Sequence, residues 1–111
     1  MKFPESWTTV DKLNYLQRMI LIHSYIYYEL NENVISDDRY NKIARLLNKK
    51  VQRYKDSSLM KKTMYGYVFN DFTEGSSGFN LIGKLKKKDK RWIDMLARQT
   101  LYKYKEEHKW R

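Results

Sequence analysis

Between Thr9 and Leu30 the chain contains neither glycine nor proline, and Val10, Leu13, Leu16, Ile20 and Tyr27 recur at helical spacing. A run of that kind is committed to a helix before anything else about the chain is known. Met19, Ile22 and Ile26 widen the apolar stripe, so this first helix is expected to be the most enclosed element, capped at its start by Thr8 or Thr9. The pattern breaks at Asn31-Glu32-Asn33. A second start follows at once: Ile35 precedes Ser36 as an N-cap, Asp37 and Asp38 occupy the first turn where the helix dipole favours anions, and Ile35 can staple to Tyr40. The second helix is expected to run to Tyr54, making a helical hairpin over about residues 9–54.

On that second helix Tyr40, Ile43, Leu47, Val51 and Tyr54 share one side, while Arg39, Lys42, Arg45, Lys49 and Arg53 share another. One side is core and the other is a basic stripe. The stripe belongs to a larger asymmetry: 23 Lys+Arg against 13 Asp+Glu give a formal net charge of +10, concentrated in residues 36–62 and 83–111. The second block opens with Lys84, Lys86, Lys87, Lys88, Lys90 and Arg91. Such a field favours polyanions, whether nucleic acid, an acidic protein surface or nucleotide phosphates, and it equally keeps a small protein soluble.

From Met64 to Phe72 the sequence Met-Tyr-Gly-Tyr-Val-Phe-Asn-Asp-Phe alternates and is expected to be extended. It can form a small hairpin with Phe79–Ile82 across Glu74-Gly75-Ser76-Ser77-Gly78, pack as an irregular aromatic loop, or pair as an exposed strand between two copies. A last helix is expected from about residue 88 to 108, with Ile93, Leu96, Ala97, Thr100 and Tyr104 on one face and Trp92 at its edge. Trp92, Tyr102 and Trp110 stand among basic residues, where their rings can stack on bases; Trp92 can equally close the core. The expected fold is one mainly α domain over residues 1–111, built on the hairpin, with a small β-hairpin or extended aromatic segment around 64–82.

Several chemistries lack their residues. With no cysteine there is no disulfide framework, thiol nucleophile or cysteine-ligated metal. His23 and His108 stand at no metal-ligand spacing, and His23 reads as a helix-face or partly buried histidine rather than a catalytic base. The Gly-Ser-Ser-Gly at 75–78 lacks the flanking residues of a phosphate-binding loop or nucleophile elbow and reads as a turn. No apolar run approaches the roughly 18 residues of a membrane span, and MKFPESW lacks a leader's apolar stretch, so a protein of the cytoplasm is expected.

The helical hairpin brings Tyr25, Tyr27 and Tyr28 towards Asp37 and Tyr40, and two tyrosines across such a hairpin make a slot for a flat heterocycle. The stretch His23-Ser24-Tyr25-Ile26-Tyr27-Tyr28-Glu29-Leu30-Asn31-Glu32-Asn33-Val34-Ile35-Ser36-Asp37-Asp38-Arg39-Tyr40-Asn41 resembles the N-terminal helical subdomain of bacterial NAD-dependent DNA ligases. That subdomain carries a Y-x-Y-[YH]-x-x-[DN]-x-x-x-[IV]-[SP]-D-x-x-Y-D pattern and binds the nicotinamide mononucleotide half of NAD. The resemblance implies that Tyr27 and Tyr40 line the nicotinamide slot, that Asp37 accepts hydrogen bonds from the ligand, and that Tyr28 lies near its phosphate. Asn41 departs from the pattern, which has Asp there and so one more acceptor charge.

The resemblance stops at residue 54, and no K-x-D-G nucleotidyltransferase motif is present, so the chain is not by itself a ligase. It looks most like small ligase-related proteins of phages and prophages, which implies a non-catalytic binding role in a bacterial host cytoplasm. No cofactor is required by any of these patterns; nicotinamide mononucleotide or NAD enters as the implied ligand. The alternative is a phage accessory or inhibitor protein that meets nucleic acid or an acidic host protein through its basic faces, with the hairpin as scaffold.

Overall fold

The computed structural model describes residues 2–73 and 75–109. Glu74 in the turn and Trp110 among the candidate stacking rings lie outside the described residues. Five α-helices follow one another: α1 (Thr9–Tyr28), α2 (Asp37–Tyr54), α3 (Gly66–Phe69), α4 (Gly78–Gly83) and α5 (Lys87–His108), with one 3₁₀ turn at Met60–Lys62 between α2 and α3.

α1 is the centre of the molecule, as its wide apolar arc requires. Leu13, Leu16, Ile20 and Leu21 have no exposed surface, and α2, α4 and α5 all pack against this helix. Its start is a reciprocal capping box, in which the Asp11 N–H donates to Thr8 Oγ1 at 3.1 Å and the Thr8 N–H to the Asp11 carboxylate at 2.9 Å. α1 ends two residues short of Leu30, because Asn31 turns the chain with φ 54°. Asparagine is among the few residues that accept this left-handed conformation. At the start of α2, Ser36 Oγ accepts from the Arg39 N–H at 3.1 Å. The core side of α2 buries Ile43, Ala44, Leu47 and Val51, while Arg39, Lys42, Arg45, Lys49 and Arg53 stand exposed on the other side.

The segment 64–82 differs from expectation. Among the described residues it holds no strand; α3 and α4 occupy it instead. The reason is in the spacing of what is buried: Tyr65, Val68, Phe69 and Phe72 follow steps of three and four, while Met64 is half exposed. The apparent alternation was helical periodicity over a short aromatic run. Phe79–Ile82, the supposed hairpin partner, forms α4 and packs on α1, with Leu81 and Ile82 buried and Phe79 turned outward.

What holds this segment is a polar group that the apolar stripe of α1 conceals. Gln17 is fully buried, donates from Nε2 to Thr63 Oγ1 at 3.0 Å, and accepts the Tyr65 N–H on Oε1 at 3.3 Å. Thr63 Oγ1 in turn donates to the Met60 carbonyl at 2.7 Å, and Asn14 Oδ1 accepts the Met64 N–H at 2.9 Å. Gln17→Leu keeps the volume but leaves the buried Tyr65 N–H without an acceptor, at a cost of about 1–3 kcal/mol. A urea titration of the variant is expected to show that loss, and an unchanged midpoint would contradict the network.

α5 is joined to the rest through tyrosines. Tyr67 Oη donates to Asp89 at 2.5 Å and accepts the Lys86 N–H at 3.0 Å, serving as the cap that the α5 N-terminus lacks in its own side chain. Tyr25 Oη donates to Asp94 at 2.5 Å, and Arg98 Nε donates to the same oxygen at 3.0 Å. The Tyr25 hydroxyl and Arg98 together hold the Asp94 carboxyl below the usual carboxylate range, while burial, helped by Asp94, pushes the Tyr25 phenol up to about 12. Among the described residues no helix is long and apolar enough to cross a membrane.

Candidate functional site

The second half of α1, the loop at 33–35, the first turn of α2 and the approach to α4 enclose one cavity of about 350 Å³. Its wall contains Tyr27, Tyr28, Asp37, Tyr40 and Asn41, together with His23, Ser24 and the segment Ser76-Ser77-Gly78. The volume falls at the lower end of the roughly 300–1,000 Å³ of small-molecule sites.

Each wall residue is placed by a local feature. Tyr40 is the fourth residue of α2, and its hydroxyl is within 2.9 Å of Ser24 Oγ, which ties the start of α2 to α1. Burial pushes the Tyr40 phenol up, with the Ser24 contact opposing. Tyr27 and Tyr28 lie in the last turn of α1, 55% and 44% exposed, so their rings present open surface to the cavity mouth. They meet edge to face with centroids 4.9 Å apart, and Tyr28 meets Phe79 of α4 in the same manner at 5.9 Å. Tyr27 thus pairs with Tyr28, and not with Tyr40 across the hairpin.

Gly78 closes the far side. A Cβ there would lie 2.4 Å from Ser24 Oγ and 2.9 Å from Ser24 Cβ, so only glycine lets α4 approach α1 this closely. Sequence reasoning read 75–78 as a turn and missed that its last three residues line the cavity. A glycine at a helix start signals close approach only once the surface it approaches is known.

The electrostatics of the wall are selective. His23 is 8% exposed, and burial, followed by the charge of Arg39, pushes its imidazole down to about 4. It is a neutral histidine at ordinary pH, in keeping with a partly buried helix residue. Among the lining residues Asp37 is the one carboxylate, and there is no lysine or arginine. The cavity therefore suits a flat uncharged or cationic ring between tyrosines, with hydroxyls satisfied by Ser76, Ser77 and Asn41; a phosphate finds no cation inside it.

The basic residues lie elsewhere. Arg39, Lys42, Arg45 and Lys49 line a separate open trough of about 610 Å³ along the outer side of α2, with Arg53 farther along over the Tyr54 ring. In the second block Lys84 pairs with Asp71 at 3.0 Å and Lys86 sits over the Tyr67 ring, while Lys87, Lys88, Lys90 and Arg91 are exposed at the start of α5. Compared with family models, curated proteins and solved structures, the chain matches none.

Proposed function

We propose that the chain is a non-catalytic binding protein whose hairpin cavity takes the nicotinamide end of a nicotinamide nucleotide, acting in a bacterial cytoplasm as a phage-derived accessory protein. The observation that carries this reading is the convergence of Tyr27, Tyr28, Asp37, Tyr40 and Asn41 on one wall. These are the residues singled out by the resemblance to the ligase subdomain, and they come from two helices, the end of α1 and the start of α2. The charge of the wall orients the ligand. A pyridinium ring is stabilised by tyrosine faces and by Asp37, whereas the phosphate has to point outward into solvent, towards the positive field of α2.

Calorimetric titration with nicotinamide mononucleotide tests this. Tyr27→Ala and Tyr40→Ala are each expected to weaken binding about tenfold or more, since each removes a ring face from the cation. Asp37→Asn is expected to weaken the oxidised, cationic ligand and to leave the reduced, uncharged one little changed. Equal affinity of all variants for both ligands would overturn the reading. A second reading has its own observation in the cationic trough on α2, where among the described residues no carboxylate pairs with Arg39, Lys42, Arg45 or Lys49. It takes the hairpin as scaffold and the partner as nucleic acid or an acidic host protein. Absence of nucleotide binding together with salt-dependent capture of a polyanion by the trough would favour it.

A further inference from the structure

We propose that the outward face of α5 binds single-stranded nucleic acid, through base stacking on Trp92 and Tyr102 and phosphate contacts from Lys88, Arg91 and Lys103. The face is independent of the hairpin cavity and stands or falls without it.

Lys88, Trp92, Met95, Gln99 and Lys103 follow one another at steps of three and four, with Arg91 and Tyr102 beside them on the same side, and so form a single stripe. It is the side of α5 opposite Ile93 and Ala97, which are buried on α1 and the core. Trp92 is 47% exposed, Met95 39% and Tyr102 69%. Trp92 therefore does not close the core. Neither Trp92 nor Tyr102 meets another aromatic ring among the described residues, so both have a free face.

The sign of the face follows from where the acids of α5 are used. Of the four carboxylates of α5, Asp89 and Asp94 are turned to tyrosines of the body, Tyr67 and Tyr25, while Glu106 and Glu107 lie in its last turn, beyond Tyr102 and Lys103, with Glu106 paired to Lys109 at 3.2 Å. Lys88, Arg91 and Lys103 have no carboxylate within ion-pair distance among the described residues. The outer stripe thus combines unpaired cations with unstacked aromatic rings, and that combination selects one polyanion over others. A duplex hides its bases and would use only the cations, and an acidic peptide has no flat faces to stack. A single strand uses both, alternating phosphate and base. Trp92 and Tyr102 stand about 15 Å apart along the helix axis, a span of a few nucleotides of an extended strand.

Fluorescence anisotropy of labelled oligothymidylate and oligouridylate against the full chain is the test, with an unlabelled duplex, polyglutamate and anionic phosphatidylserine vesicles as competitors. The expected result is binding at low salt with a log–log salt slope of about −2, for three neutralised phosphates on a single strand. Trp92→Ala and Tyr102→Ala are each expected to weaken it about tenfold. Both residues are exposed, and an unchanged thermal midpoint shows that the variants fold. Lys42→Gln with Lys49→Gln, which removes charge from α2 instead, should change affinity less than twofold. The proposal is overturned by absence of binding at low salt, by binding that both alanine variants retain in full, by binding that depends on the α2 pair instead, or by duplex, polyglutamate or vesicles competing as well as the single strand. Equal affinity for the two oligonucleotides is expected, because stacking does not read the sugar.

Discussion

Gly66→Ala is expected to cost about 3 kcal/mol or more, and to lower the urea midpoint of unfolding by about 1–2 M. A Cβ on Gly66 would lie 2.0 Å from the Met60 carbonyl oxygen and 2.9 Å from Thr63 Oγ1. The first of these is backbone, so no rotamer change relieves it. Relief requires the 3₁₀ turn to move away from α3, and that turn is held by the buried Gln17–Thr63–Met60 chain of hydrogen bonds. A domain of this size has only about 5–15 kcal/mol of net stability, so the variant loses a large share of it. Gly83 supplies the internal comparison. It ends α4 with nothing within 4 Å of an added Cβ. Gly83→Ala should therefore be neutral or stabilising by about 0.5–1 kcal/mol through helix propensity and a less flexible unfolded chain. Equal behaviour of the two variants would contradict the close packing of the 60–66 segment.

The second large effect is a loss of stability on mild acidification that is due to His23. Burial holds its folded-state pKa at about 4, against an ordinary value of 6.5. The folded state therefore takes up this proton less readily than the unfolded chain. Its contribution is fully present above about pH 6.5 and declines as pH falls, reaching its limit near pH 4, where the folded form also protonates. Up to about 3 kcal/mol is expected to go over that window. Asp94 and Asp71, whose carboxyls are held low, contribute stability that is fully present above the ordinary carboxylate range and is lost only as pH falls through and below it, so they do not account for the loss that begins near pH 6.5. Chemical denaturation at pH 7 and pH 4.5 measures the effect, and His23→Gln should flatten the dependence. An imidazole that titrates near 6.5 in the folded protein would contradict the burial.

Much of the architecture is legible in the sequence because it is local. The apolar stripe from Val10 to Ile26, the Ser36 cap with its two acids and the opposed faces of α2 each follow from residues within a few turns of one another. The helix α5 was legible for the same reason, to within a residue or two at its ends. What was not legible depends on distant contacts. The short run Met64–Phe72 supports both a strand and a helix until the Gln17 and Asn14 side chains, far away in sequence, accept the N–H groups of Tyr65 and Met64. The cavity was legible on its hairpin side, where Tyr27, Asp37 and Tyr40 are related by a short connection, and not on its α4 side, where Gly78 meets Ser24 across the fold. The lack of a cation in the wall was also hidden, since the count of Lys and Arg says nothing about which side of α2 they leave bare.

Amide NMR mapping decides whether the hairpin cavity is the nicotinamide-nucleotide site we propose. Nicotinamide mononucleotide is titrated into labelled protein at two salt concentrations. Saturable shifts are expected at Tyr27, Asp37, Tyr40 and the segment 76–78, changing little with salt because the ring and not the phosphate is held inside. Shifts that leave these residues still, or that spread along Arg39 to Arg53 and vanish at high salt, would contradict it and reduce the cavity to a feature of the scaffold.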